Sequence, residues 1–388
     1  MKPNIIHCIV VCLTALALPF IVACSSREES LSGDVETVLL LNVETIRQTR
    51  SGLTDLSGNE KMHSVRVVVL HNDGTVEHNR HYLLDGAQEQ KYIFLKVTPN
   101  EKKKIFLFAN EESVSAVEGM NDGENMSLTQ FFKNYEGVGT QGFADAVDCL
   151  YFAPDYSHGN PIPMSAMYEI DVHGEGKVER TFYVVRVATK FTVNFMNWRG
   201  EEVIVDDFTF ASYANKNFLM AHVNNSEQNK QLFNGKTWID WLKDVSDASS
   251  ENDSYDITEA VGWLKDYELP TQADKAVVYT HGKVKVGAPT VDIDSPDNSK
   301  PGVANNVPVF YLPESMSLKP DAADGEQEYT MTININGRTE PFVFKLPNLK
   351  ALFRNTNVVV DITLYNSNEI AVDVIPYSEI ILEPVFGL

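Results

Sequence analysis

The chain has 388 residues, and its 32 Lys and Arg against 54 Asp and Glu give a formal net charge of −22. That length implies two or three domains and excludes a single small one, while the acidic balance repels phosphate backbones and anionic lipid surfaces and so argues against nucleic acid as a partner. With 43% hydrophobic and 10% aromatic residues, the composition is globular and lies outside the low-hydrophobicity regime of disorder.

The first 23 residues read as a signal. Lys2 is the only charge ahead of an apolar run from Ile5 to Ala23, the charged-then-apolar layout of a secretory leader, so Cys8 and Cys12 inside it would be discarded. The run ends Ile21-Val22-Ala23-Cys24 and resembles a lipobox, in which a signal peptidase cuts before the cysteine and the Cys24 sulfur then carries a lipid. An ordinary secretory signal or a membrane anchor is the alternative. On the lipobox reading, acyl chains rather than the acidic surface hold the protein to a membrane. Ser26-Arg27-Glu28-Glu29 resembles the surface-export signal of certain Gram-negative lipoproteins, against the plainer reading of a solvated tether. Acylation of Cys24 leaves Cys149 without a partner in its own chain, so no disulfide framework exists and stability rests on core burial.

Beyond the leader, apolar residues alternate with polar ones between turn residues, which is the strand signature. Leu39, Leu41 and Val43 form the first such run, and Val65, Val67 and Val69 lead into Asn72-Asp73-Gly74, a hairpin-turn sequence. Ile105–Ala109 and Phe182–Phe195 continue the series. Asn197-Trp198-Arg199-Gly200 interrupts two alternating runs and marks a domain boundary. Two short amphipathic helices are expected in the second half, at Thr237–Val245 and Thr258–Tyr267, each carrying Trp-Leu-Lys-Asp. Val286–Asn306, rich in Asp, Pro, Asn and Ser, reads as a long loop. Met331–Asn336 and Phe342–Leu346 flank Asn336-Gly337, which suits a type I′ hairpin turn. Val358, Val360, Ile362 and Leu364 alternate again, followed by Ile370–Val374 and Glu379–Phe386. Many short strands with few helices indicate an all-β chain of β-sandwiches.

Motifs for catalysis are weak. Gly137-Val-Gly-Thr-Gln-Gly142 has the spacing of a dinucleotide loop, but no apolar strand enters its first glycine. Asp292-Ile-Asp-Ser-Pro-Asp297 lacks the glycine and bidentate glutamate of a calcium loop and reads as a solvated acidic segment. His71, His78 and His81 fall on one hairpin, with His78 and His81 on opposite strand faces, and read as surface histidines. No enzyme, cofactor or metal site is expected.

Several segments together resemble the fimbrillins that build type V pili. They are Ser64–Gly74, Lys104-Ile-Phe-Leu-Phe-Ala-Asn110, Ile162-Pro-Met-Ser165, Val184-Val-Arg-Val-Ala-Thr-Lys190, Tyr311-Leu-Pro-Glu314 and Arg354-Asn-Thr356, in that order over roughly residues 35–388 behind the lipobox. The resemblance implies two transthyretin-like β-sandwich domains in tandem, with the short helices inserted in the second. Residues 24–57 would be tether and removable strand, 58–198 the N-terminal domain and 199–388 the C-terminal domain with its donor strands. It further implies a structural subunit of a cell-surface fimbria, displayed on the outer membrane. An arginine-specific protease would cut at Arg47 or Arg50 and release the strand bearing Leu39, Leu41 and Val43. The emptied groove would accept a donor strand of another subunit, carried by Ile370, Val372 and Val374 or by Ile380, Leu382 and Phe386. The partners implied are other fimbrial subunits in a head-to-tail polymer, the protease, the membrane through its lipid before processing, and a host or bacterial surface ligand. The alternatives are a fimbrial tip or anchor protein, or a non-polymerising surface lipoprotein binding glycan or protein through Trp238, Trp241 and Trp263.

Overall fold

A computed structural model describes residues 37–45, 56–119, 125–156, 159–174, 176–212, 214–221, 278–293, 295–305, 307, 309–316, 329–346, 349, 351–366 and 369–375. The expected leader, Cys24, Arg47, Arg50, both Trp-Leu-Lys-Asp helices with Trp238, Trp241 and Trp263, and the run with Ile380, Leu382 and Phe386 lie outside these residues. What is described is overwhelmingly β, as the alternation requires.

The first core is built from β1 (Thr37–Thr45), β2 (Met62–Leu70), β3 (Val76–Gln88), β4 (Gln90–Val97), β5 (Glu101–Ala109), β7 (Met164–Val172) and β8 (Gly176–Arg186), with β6 (Tyr151–Phe152) outside it. Their order is β3-β2-β5-β7-β8-β1-β4. The ladder between β7 and β8 has just two pairs, Met164 with Arg186 and Ser165 with Val185, so the path turns a corner there. The inward side chains of β1, β4 and β8 thereby meet those of β2 and β5 in one core containing Leu41, Val67, Leu95, Leu107 and Phe182.

Strand β2 is buried on both faces. Val65, Val67 and Val69 point into this core, while Val68 and Leu70 pack with Phe106 and Phe108 beneath a helical cover. That cover comes from α1 (Leu128–Lys133) and α2 (Phe143–Asp148), which contribute Phe131, Phe132, Phe143 and Val147. Both described helices therefore sit on the first core, in the half of the chain where none was expected. Each is six residues long, too short to show a helical period. The Gly137–Gly142 motif joins them: Gly139 and Gly142 have φ of +82° and +79°, and the Gly139 N–H donates to the Val76 carbonyl at 2.7 Å. These glycines make turns.

The second core packs one sheet of β12 (Val278–His281), β10 (Val203–Ala211), β17 (Thr330–Ile335) and β18 (Phe342–Lys345), with β13 (Val284–Val286) also on β10. Opposite it lies a sheet of β14 (Gly302–Val303), β9 (Thr189–Asn197), β20 (Asn357–Asn366) and β21 (Glu369–Ile375), with β15 (Phe310–Leu312) also on β9. Short ladders join β11 (Asn217–Phe218) to β6 and β16 (Ser315–Met316) to β19 (Ala351–Leu352).

Three sequence expectations change. Phe182–Phe195 is two strands: β8 belongs to the first core, whereas Phe191, Val193 and Phe195 of β9 belong to the second. The crossing falls at Val187–Ala188, not at 198/199, and Asn197–Gly200 is a turn between β9 and β10 within the second core. Finally, the Asn336-Gly337 turn is not type I′: Gly337 has a φ of +80°, but Asn336 does not adopt positive φ.

Between the cores runs a buried polar seam formed from four of the resembling segments. Arg354 donates from Nη2 to Glu314 at 2.6 Å and to the Phe218 carbonyl at 2.9 Å, and from Nη1 to the Leu219 carbonyl at 3.2 Å and to Ser165 Oγ at 3.4 Å. Thr189 Oγ1 donates to the Phe353 carbonyl at 2.8 Å, and Asn217 Nδ2 to the Val187 carbonyl at 3.0 Å. Backbone polar groups stranded where strands change core are satisfied by side chains.

Candidate strand-exchange site

Strand β1 is an interior strand of its sheet, lying between β8 and the edge strand β4. It pairs antiparallel with β4 from Thr37–Val97 to Glu44–Gln90, and parallel with β8 from Thr37–Gly176 to Thr45–Val184. Alternation sends Leu39, Leu41 and Val43 into the core, where each is 0% exposed. Leu40, on the other face, is buried as well. At about 1.5–3 kcal/mol for each buried aliphatic side chain, these four contribute on the order of 10 kcal/mol. Losing β1 would also open the inner edges of both neighbours and leave rows of unpaired N–H and C=O groups.

Polar side chains hold the register at the C-terminal end of β1. Gln90 Nε2 donates to Asn42 Oδ1 at 2.9 Å and to Glu44 Oε1 at 2.8 Å, and Asn42 Nδ2 donates to Thr181 Oγ1 at 3.3 Å. Beside this row on β4, Tyr92 and Phe94 are exposed.

The chain after β1 is pinned again from Leu56 onward. Ser57 and Glu60 form a capping box, in which Ser57 N–H and Oγ donate to Glu60 Oε2 at 3.0 and 2.8 Å. Lys190 Nζ, from the second core, donates to Glu60 Oε1 at 3.1 Å. Burial raises the Glu60 carboxyl pKa, but the charges of Arg186 and Lys190 and the Ser57 hydrogen bonds outweigh it, so the net shift is downward. Between these two anchored stretches lie residues 46–55, which contain Arg47 and Arg50.

Of the expected donor residues, Ile370, Val372 and Val374 lie on β21, an edge strand paired with β20. Val374 is buried in the second core and the other two pack against it. Their i, i+2, i+4 spacing repeats that of Leu39, Leu41 and Val43.

The histidines are more engaged than a surface reading implies. His71 Nδ1 lies 2.6 Å from Glu101 Oε1, His81 Nε2 lies 2.8 Å from Glu112 Oε1, and His78 Nε2 lies 2.5 Å from the Lys96 carbonyl. Two of these clusters, His71-Glu77-Glu101 and His81-Glu111-Glu112, bring potential metal ligands together. In the first, the buried Lys103 ammonium already bridges Glu77, at 2.5 Å, and Glu101. In the second, Arg66 holds Glu111 through Nε at 2.5 Å and Nη2 at 2.8 Å. Resident side chains thus supply positive charge at both. Asp292 accepts from the Ser295 N–H at 3.0 Å, a local turn contact within the acidic loop.

The chain is similar to the tip fimbrial protein Mfa3 from Porphyromonas gingivalis, determined with a C-terminal truncation, at a TM-score of 0.48 and 10% identity over 88% of this chain and 100% of that one. It is also similar to a fimbrial assembly protein from Parabacteroides distasonis, at a TM-score of 0.43 and 10% identity over 87% of this chain and 95% of that one. These structural neighbours are fimbrial proteins. No protein-family model and no curated protein sequence matches the chain.

Proposed function

We propose that this protein is a structural subunit of a cell-surface fimbria, exported as a lipoprotein through Cys24 and polymerised by strand exchange after cleavage at Arg47 or Arg50. The observation that carries this reading is the position of β1: an interior strand, paired on both sides, with its inward side chains 0% exposed, joined to the rest of its core by the arginine-bearing residues 46–55. Cutting that connection leaves β1 held by non-covalent contacts alone. Its departure exposes an apolar groove with two unpaired edges, a state that strongly favours capture of another strand.

The replacement comes from the C-terminal runs of a second copy, β21 or the chain beyond it. Groove and donor are different surfaces, so the contact is heterologous and propagates as an open filament instead of closing into a dimer. Like charge along an acidic shaft opposes lateral aggregation while exchange drives growth end to end. Before processing, the lipid holds the subunit to the outer membrane.

The test is incubation of the full precursor with an arginine-specific protease. A new N-terminus at Gln48 or Ser51 together with higher-order species is the expected result. Clean cleavage that leaves monomers overturns polymerisation and favours a non-polymerising surface protein.

A further inference from the structure

We propose that the seam between the two cores holds a small monovalent anion, bound by the guanidinium of Arg186 with the side-chain amide of Asn355. The argument begins with charge. Among the described residues, five ionised side chains meet in this seam. Arg354 and Glu314, each 1% exposed, neutralise one another. Glu60, also 1% exposed, faces Lys190, and its oxygens are committed to Lys190 Nζ at 3.1 and 3.3 Å and to Ser57 N–H and Oγ. Arg186 is the fifth, 2% exposed, and neither its Nη1 nor its Nη2 has a hydrogen-bond partner. Among the described residues, Arg186 and Lys190 therefore face the single carboxylate of Glu60. Burial raises the Tyr156 and Tyr311 hydroxyl pKa values far above their ordinary value, so both phenols stay neutral and add no negative charge.

A guanidinium taken out of water without an acceptor is among the most costly states in a protein interior. Burial pulls the pKa of Arg186 down, and the attraction of Glu60 opposes that pull. Because a guanidine stays protonated in proteins, proton loss is no escape.

Asn355 supplies the second observation. Its backbone N–H donates to the Ala188 carbonyl at 2.8 Å, which places it two residues along the chain from Arg186. It is 1% exposed at a φ of +59°, and both its Oδ1 and Nδ2 lack partners. Arg186 Nη1, Arg186 Nη2 and Asn355 Nδ2 are thus buried donors without acceptors on one short stretch of the seam. Water would satisfy their hydrogen bonds and leave the surplus charge. A halide-sized anion satisfies both, with one water on Asn355 Oδ1.

Bromide is the probe. Crystals of the intact mature protein grown in bromide are expected to show an anomalous peak in contact with the Arg186 guanidinium. In solution, raising bromide from about 1 to about 100 mM, with gluconate holding ionic strength constant, should raise the unfolding midpoint by about 3 °C. Arg186→Met and Asn355→Gly should each abolish that shift; the glycine keeps the positive φ available. Equal midpoints in the two salts, or a site occupied by water without anomalous signal, overturn the proposal. If Arg186→Met does not fold, Asn355→Gly and the wild-type anomalous map decide. None of these readouts depends on polymerisation.

Discussion

Glu314 accepts hydrogen bonds from Arg354 at both carboxylate oxygens: the Arg354 backbone N–H reaches Oε1 at 2.9 Å, and Nε and Nη2 reach Oε2 at 3.0 and 2.6 Å. The same guanidinium donates to carbonyls of Phe218, Leu219 and Met220, at and just beyond the end of β11. One buried cation therefore closes the seam from three directions.

Arg354→Met should cost about 3–5 kcal/mol, because it strands the Glu314 carboxylate in a buried site. The double variant Glu314→Leu with Arg354→Met should recover part of that loss, since removing both charges also removes the need to pair them. Urea denaturation curves of the single and double variants check this. A double variant less stable than the sum of the two single losses would contradict it.

Leu41→Ala in β1 should destabilise the intact precursor by about 2–5 kcal/mol, as expected for a fully buried leucine. Phe94→Ser on neighbouring β4 should change stability by about 0.5 kcal/mol or less, because its ring is exposed. Denaturant midpoints before protease treatment separate the two. After cleavage, Leu41→Ala should also speed β1 release, measured as the rate at which the freed peptide separates from the body of the protein.

Glu60 gives the seam a pH dependence of definite sign. Its folded pKa is lowered from 4.5, so the unfolded chain takes up a proton first as pH falls. The stability it contributes is therefore complete above the unfolded value and is lost as pH falls through the folded one. Glu60→Gln should lower stability at pH 7 and narrow its difference from wild type as the medium is acidified toward and below pH ~4. Unfolding midpoints measured across that range test it. A difference that stays constant with pH would show that the carboxylate charge plays no part.

Much of the fold was legible because strands with one wet face alternate visibly. Val358, Val360, Ile362 and Leu364, the residues that the alternation selects, are buried. Legibility fails where a strand is covered on both sides, as at Val65–Leu70, and where a strand leaves one core and the next enters another without a polar break, as at Val187–Ala188. The short helices escaped because six residues cannot establish a period; the Ser127–Gln130 capping box, with the Gln130 N–H on Ser127 Oγ at 3.2 Å, was the available signal. The seam was invisible as a site. Ser165, Glu314 and Arg354 are 149 and 40 residues apart in sequence, and only the folded chain brings their side chains together.

The donor assignment makes two truncations behave differently. Removing residues 370–388 takes away nearly all of β21, whose Ile370, Val372 and Val374 pack on the second core and whose backbone pairs with β20 from Val359 to Asn366. That variant loses about 1.5–3 kcal/mol for each well-buried side chain and leaves β20 as a bare edge, so its failure to assemble is uninformative unless folding is checked first. Removing residues 376–388 leaves β21 in place and deletes the run with Ile380, Leu382 and Phe386. If that run is the donor, the shorter truncation should match wild type in denaturant midpoint and be cleaved normally, yet stay monomeric when mixed alone with the protease. It should also still accept a strand from wild-type protein and cap its growing ends. Normal polymerisation of the shorter truncation, with loss only in the longer one, transfers the donor role to β21.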